Sequence, residues 1–219
     1  MASPVVVVDY DAGNLRSVAR ALARVDQAPS VTADPAEIDA ASVVVLPGVG
    51  AAADTMKNLG DRGLVEPIRR YIASGRPFLG VCMGLQALFE WSDEGDGQEC
   101  LGVFEGTVRR FPADGRKVPH MGWNTVDWVR EHPLTEGIAS GSYFYFVHSF
   151  YPAPTDPALA LGVTEYGVSF PSVVARGNVV ATQFHPEKSG DDGLRLYANF
   201  VAWARAGMPM PALAAGGRP

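Results

Sequence analysis

The chain has no excess of positive charge: 18 lysines and arginines stand against 24 aspartates and glutamates, a formal net charge of -6 over 219 residues. A surface of that balance does not suit nucleic acid or an anionic membrane. Long apolar runs are also missing, and no stretch approaches the roughly 20 residues that cross a bilayer. Residues Met1 to Pro4 lead straight into Val5-Val6-Val7-Val8-Asp9, without the basic lead and longer apolar segment of a secretory signal. Cysteine is scarce. The two present, Cys82 and Cys100, could form one bridge at most, which is not a secreted disulfide framework. None of His120, His132 and His148 has the spacing to cysteine or carboxylate that a metal site requires, so no metal is expected. There is no internal repeat. These absences lead us to expect a cytoplasmic protein whose ligand is a small soluble molecule.

What is present is a regular alternation. Val5–Asp9, Ser42–Leu46 and Phe78–Val81 are short and almost wholly apolar, the first two rich in β-branched valine, and read as buried strands. Between and after them, Asn14–Val25, Leu64–Ala73 and Gly84–Trp91 read as helices. Apolar strands separated by helices predict an α/β fold with a mostly parallel central sheet and helices on both faces. Beyond about residue 100 the candidates Gly106–Arg110, Asn124–Val129, Tyr143–Ser149, Ala158–Val163, Ser172–Ala175 and Val179–Gln183 are more alternating or aromatic, which predicts an antiparallel extension. Asp191–Ala206 reads as a closing helix. A single domain over residues 1–206 is expected, with a frayed tail over 207–219 that is rich in Ala, Gly and Pro.

Three short motifs fall at strand ends. Gly80-Val81-Cys82-Met83-Gly84 has the form G-x-C-x-G between a strand and a helix, the setting of a nucleophile elbow. The glycines permit a sharp turn, and the helix start favours thiolate over thiol. The same residues also fit a buried core cysteine. Gln183-Phe184-His185-Pro186-Glu187 ends another strand; Pro186 holds His185 extended, and side chains two apart in extended backbone point the same way. Glu187 can then orient His185 as a base, although a surface turn with Glu187 paired to Lys188 fits as well. Leu46-Pro47-Gly48-Val49-Gly50 could lend main-chain amides from Val49 or Gly50, with that of Met83, to an oxyanion. Read alone it is also an ordinary turn, and it lacks the ending of a phosphate-binding loop. Cys100 has no activating neighbour in the sequence.

Together, Pro47-Gly48-Val49-Gly50, Gly80-Val81-Cys82-Met83-Gly84-Leu85-Gln86 and His185-Pro186-Glu187-Lys188-Ser189 resemble the oxyanion strand, elbow and His-Glu pair of the class I (triad-type) glutamine amidotransferases, which have a flavodoxin-like fold. The resemblance implies that Cys82 forms a γ-glutamyl thioester, that His185 is acid and base, and that Glu187 orients it. It places Gly48, Gln86, Ser149 and Phe150 beside bound glutamine, with phenylalanine at position 150 where relatives often carry tyrosine. It implies no cofactor.

Within that class, Asp11-Ala12-Gly13-Asn14, Pro119-His120-Met121-Gly122-Trp123-Asn124 and Tyr143-Phe144-Tyr145-Phe146-Val147-His148-Ser149 are similar to segments of the glutaminase subunits of imidazole glycerol phosphate synthases. Such subunits dock on a (β/α)8 cyclase subunit in histidine biosynthesis. By that likeness Asn14, Met121, Trp123, Asn124, Tyr145 and Lys188 line the subunit interface or gate ammonia entry, while Phe144 and Phe146 read independently as core. Two alternatives stay open at this point: a glutaminase serving a pyridoxal phosphate, aminodeoxychorismate or anthranilate synthase, and a non-catalytic module on the same fold.

Overall fold

The structure is a computed structural model that describes residues 5–25 and 28–209. In chain order it contains β1 (Val5–Val8), α1 (Leu15–Arg24), β2 (Ser30–Thr32), α2 (Pro35–Ala40), β3 (Val43–Leu46), α3 (Ala52–Asp61), α4 (Val65–Ala73), β4 (Phe78–Val81) and the single-turn α5 (Met83–Gln86). The second part comprises β5 (Phe89–Ser92), β6 (Gln98–Glu99), β7 (Phe104–Arg110), β8 (His120–Trp128), β9 (Ser142–His148), β10 (Phe150–Pro154), β11 (Ala160–Glu165), β12 (Ser169–Arg176), β13 (Val179–Thr182) and α6 (Gly190–Arg205).

Nine strands make one sheet in the order β2-β1-β3-β4-β13-β12-β11-β8-β9. The first five run parallel, and every pairing from β13 to β9 is antiparallel. Valine and leucine dominate the middle strands because these are buried on both faces: all residues of β1, β3, β4 and β13 are buried. Alternation splits them between two cores. Val5, Val7, Val43, Val45, Leu79 and Val81 pack with Leu22 of α1 and Leu196, Phe200 and Val201 of α6. Val6, Val8, Val44, Leu46 and Phe78 pack with Ile38 of α2, Leu59 of α3, and Ile68 and Tyr71 of α4. Each such side chain contributes about 1.5–3 kcal/mol by leaving water.

The expected helix over Gly84–Trp91 stops after one turn. The carbonyls of Ala87, Leu88 and Phe89 are taken by the amides of Leu101, Val103, Phe104 and Gly102, so Phe89–Ser92 becomes a strand instead. Its aromatic, alternating residues suit that state. With β6, β7 and β10 it forms a second sheet, ordered β10-β7-β5-β6, which the sequence pattern did not disclose. The short β2 and α2 and the helix α3 were also unforeseen; Asp34 caps α2, accepting from the Ala36 amide at 2.8 Å. No helix among the described residues is long and apolar enough to cross a membrane. Of the expected tail, residues 210–219 lie outside the described residues, as do Met1–Pro4; Trp203 Nε1 donates to the Pro209 carbonyl at 3.2 Å.

Two glycines hold the ends of β3 and β4 together. A Cβ on Gly84 would lie 1.9 Å from the Leu46 carbonyl oxygen, and one on Gly80 would lie 2.6 Å from the Gly84 carbonyl oxygen. Gly60, inside α3, has no atom within 4 Å of such a Cβ. We therefore expect Gly84→Ala to cost about 1–3 kcal/mol by overpacking, while Gly60→Ala gains about 0.4–1 kcal/mol by restricting the unfolded chain. Urea unfolding of the two variants checks the pair of signs.

Candidate active site

The parallel strands β3, β4 and β13 are neighbours, so the segments that follow them meet at one edge of the sheet. Such carboxyl ends are where open α/β sheets place their ligands. After β4 the chain turns so sharply that Cys82 adopts φ 55° and ψ -106°, a conformation rare for a residue with a Cβ. Its amide donates to the Thr182 carbonyl at 2.7 Å, tying the elbow to β13, and its carbonyl accepts from the amides of Leu85 and Gln86 as α5 begins.

After β13, His185 is fully buried and its backbone is held from two sides. Its amide donates to the Tyr145 carbonyl at 3.0 Å, and its carbonyl accepts from the Ser189 hydroxyl at 2.7 Å. His185 Nδ1 donates to Glu187 Oε1 at 2.8 Å, the arrangement that Pro186 and the two-residue spacing predicted. Glu187 also accepts from Asn14 Nδ2 at 3.1 Å and from the Tyr197 hydroxyl at 3.4 Å. Its side chain is 0% exposed, so the carboxylate replaces its lost water with three protein donors. The surface pairing of Glu187 with Lys188 is absent; Lys188 instead sits over the Tyr145 ring at 5.7 Å.

The other ring nitrogen, His185 Nε2, is buried with no conventional hydrogen-bond partner. Cys82 is the group that acts on this ring most strongly. Burial alone would push the imidazole pKa down, but the nearby Cys82 sulfur, followed by the hydrogen-bonded Glu187 carboxylate, outweighs it and raises the value to about 10. For Glu187 burial pushes upward, and His185 and then Asn14 outweigh it, holding the carboxyl below its ordinary range.

A cavity of about 360 Å³ opens over Cys82, lined by Val49, Gly50, Cys82, Met83, Gln86, Glu94, Pro119, Val147, His148, Ser149 and Phe150. This is the small end of the range for ligand sites and suits one amino acid. Seven residues singled out in the sequence thus share one wall. Gly48 does not line it: a Cβ there would lie 2.5 Å from both Met83 Cβ and the Tyr10 hydroxyl, so Gly48 lets the loop press against the elbow. Gln86 reaches inward, with Nε2 donating to the Phe150 carbonyl and to Gln183 Oε1, each at 3.0 Å.

Glu94 is the functional candidate that sequence reading missed. Its Oε2 accepts from the Ala52 amide at 2.6 Å, at the start of α3, which directs a carboxylate into the cavity wall. Nothing in the polar stretch Ser92–Glu99 distinguishes it from a solvated loop residue; only the second sheet brings it to the elbow. Gln183 was likewise read as a strand end, yet its Nε2 lies 3.8 Å from Cys82 Sγ. Cys100 is buried just after β6, where burial, Glu99 and Glu94 push its thiol up to about 11.

The residues expected at a partner interface divide. Met121 and Trp123 alternate along the outer side of β8 and are 58% and 56% exposed, with Tyr143 of β9 beside them at 60%. Tyr145 packs edge-on against Trp123, ring centroids 6.2 Å apart, and Lys188 covers Tyr145. Asn14 is buried beneath this surface at Glu187, and Asn124 turns inward toward His120.

Because the folded His185 pKa stands above its ordinary 6.5, its charge adds stability that is complete below about pH 6.5 and is lost as pH rises through about 10. We expect the His185 ring nitrogens to show no titration by NMR between about pH 7 and about pH 8.5, and Cys82→Ala and Glu187→Gln each to lower the midpoint. A midpoint near 6.5 in the unaltered chain would contradict the assignment.

Comparison with known proteins places this geometry. The model of the family described as glutamine amidotransferase class-I matches residues 6–203. The chain is 48% identical over 200 residues to imidazole glycerol phosphate synthase subunit HisH of Dehalococcoides mccartyi, covering 91% of this chain and 97% of that protein. It is 52% identical over 200 residues to the subunit of the same name from Herpetosiphon aurantiacus, covering 91% and 94%. A solved structure of PurLQS from Thermotoga maritima superposes with a TM-score of 0.72 at 19% identity, covering 93% and 99%, and shares the fold. The chain belongs to the class I glutamine amidotransferases, in the branch of imidazole glycerol phosphate synthase subunit HisH.

Proposed function

We propose that the chain is the glutaminase subunit of an imidazole glycerol phosphate synthase, hydrolysing glutamine at Cys82 and passing the ammonia to a (β/α)8 cyclase partner. The observation that carries this reading is the cavity itself, in which the Cys82 sulfur faces an amino-acid-sized space while acting on a His185–Glu187 pair behind it.

In this mechanism the Cys82 sulfur attacks the carboxamide carbon, and the developing oxyanion accepts hydrogen bonds from the Met83 amide and from that of Val49 or Gly50. His185 gives its Nε2 proton to the departing nitrogen, so the C–N bond breaks with release of neutral ammonia and a thioester remains. Water then adds to the thioester, His185 takes its proton, and glutamate leaves as the sulfur is restored. Glu187 stays ionised and keeps the ring oriented, as the third member of a triad does. The Glu94 carboxylate and Gln86 Oε1, both acceptors at the cavity, suit the α-ammonium of glutamine. Ammonia protonates in water and is then no longer a nucleophile, so discharge into a covered interface preserves it.

The exposed Met121, Trp123 and Tyr143 support docking at the β8–β9 edge, since an aromatic anchor standing free of the core is the usual hot spot of an interface. The relatives' name supports a synthase partner, and favours this one over pyridoxal phosphate, aminodeoxychorismate or anthranilate synthases. The intact Cys82, His185 and Glu187 weigh against a non-catalytic module.

Three outcomes are expected. Cys82→Ala lowers glutaminase turnover by at least about 10⁴-fold, while ammonium salts still support synthesis by the partner; retained turnover means that the nucleophile is wrong. Glu187→Gln lowers kcat by roughly 10²–10⁴-fold with little change in KM. Trp123→Ala weakens association with the cyclase by about 2 kcal/mol or more, as calorimetry would record, and leaves the chain's thermal midpoint unchanged.

A further inference from the structure

The cavity wall is held by a hydrogen-bonded file of groups that, Gln86 and Cys82 apart, the mechanism above does not use. Asn124 Nδ2 lies 3.2 Å from His120 Nε2, His120 Nδ1 lies 2.9 Å from His148 Nε2, and His148 Nδ1 lies 2.7 Å from the Phe150 carbonyl. That carbonyl also accepts from Gln86 Nε2 at 3.0 Å; Gln86 Nε2 donates in turn to Gln183 Oε1 at 3.0 Å, and Gln183 Nε2 is 3.8 Å from Cys82 Sγ.

The direction of every bond on the histidine side is fixed by its two ends. A carbonyl can only accept, so His148 Nδ1 carries a hydrogen. The Asn124 amide nitrogen can only donate, so His120 Nε2 is bare. Between them, His120 Nδ1–H donates to His148 Nε2. One proton arrangement satisfies the file, and it requires both rings to be neutral. The packing agrees: Phe146 and Tyr166 stack on His120 with centroids 4.8 and 4.0 Å away, and Phe111 and Phe170 enclose His148 at 5.2 and 5.4 Å. Burial pushes His120 down to about 4 and His148 to about 3, in the latter case with the nearby His120 and His185 adding to it.

We infer that His148, kept in its Nδ1–H tautomer by His120, is a positioning residue for glutamine turnover that fixes the Phe150 carbonyl and so the Gln86–Gln183 side of the pocket against the Cys82 sulfur. The inference rests on the glutaminase reading of Cys82 and adds to it a residue that acts through others. Phe150 sits where the chain passes from the large sheet to the small one, with only Ser149 between β9 and β10. A crossing between two sheets has no ladder partner on one side, and the His148 bond supplies a fixed point there. Without it the Phe150 carbonyl keeps Gln86 alone, and the pocket wall is free to shift by the fraction of an ångström that turnover registers.

The test uses the full chain with its synthase partner, with kcat and KM for glutamine measured separately. His148→Asn places an amide donor near the Nδ1 position and is expected to keep kcat within about threefold. His148→Leu, and His148→Gln whose amide sits at the Nε2 position, are expected to lower kcat by roughly 10–100-fold with KM changed less than about threefold. His120→Leu is expected to give a similar loss, and the double variant His120→Leu/His148→Leu to lose no more than His148→Leu alone, because both remove one file. Circular dichroism and the rate of Cys82 alkylation by iodoacetamide, expected to be unchanged, show that fold and nucleophile persist. Equal kcat in His148→Leu and the unaltered chain overturns the inference. So do losses that multiply in the double variant, or a His148→Asn as impaired as His148→Leu. Retained turnover in Cys82→Ala overturns the reading beneath it and the inference with it.

Discussion

The site depends on a single backbone contact: the main chain of Gly84 lies so close to the Leu46 carbonyl that no side chain fits between them. That contact brings the oxyanion loop after β3 against the elbow after β4. It also sets the helix start at Met83, leaving Cys82 to take up the strained φ of 55° that turns its sulfur out of the sheet. The strain persists because the surroundings over-determine it: the Cys82 amide is held by Thr182, its carbonyl by α5, and four buried parallel strands stand behind. Strand adjacency then supplies chemistry. Since β13 pairs with β4, the chain leaving β13 must pass beside the elbow, and that is where His185 stands.

Four histidines in one chain take two opposite electrostatic roles, and burial alone does not decide which. His148 and His185 are both enclosed, yet His148 has a carbonyl and a neutral ring as partners, whereas His185 has a sulfur and a carboxylate. In the first setting desolvation wins and the ring stays neutral. In the second, opposite charges outweigh desolvation and the ring holds its proton. The cation is placed where a departing amine needs a proton, and the neutral rings where a fixed hydrogen-bond direction is needed. His132 follows the neutral pattern: its Nδ1 accepts from the Leu134 amide at 3.0 Å, and burial lowers it.

Local signals in the sequence carried the parallel half of the fold and the reactive trio. β1, β3, β4 and β13 are short apolar runs whose period and length leave little choice, and the glycines around Cys82 and the proline after His185 state backbone geometry directly. The second sheet was hidden because Phe89–Ser92 continues the apolar spacing of a helix; only its long-range pairing with Phe104–Val108 decides for strand. Glu94 was hidden for the same reason. His120 and His148 are 28 positions apart and were set aside for want of metal spacing, and only the antiparallel register of β8 with β9, which pairs these two residues, brings them together. The buried Asn14 was legible as a position but not as a donor to Glu187 across 173 residues.

The most direct test of the nucleophile's place is covalent. Treating the chain, together with its synthase partner, with the glutamine-like label 6-diazo-5-oxonorleucine and mapping the adduct by peptide mass spectrometry distinguishes the two thiols. The account predicts one adduct, on Cys82, formed at a rate that glutamine suppresses and that His185→Gln abolishes. An adduct on Cys100, or labelling of Cys82 that glutamine does not slow, would contradict it.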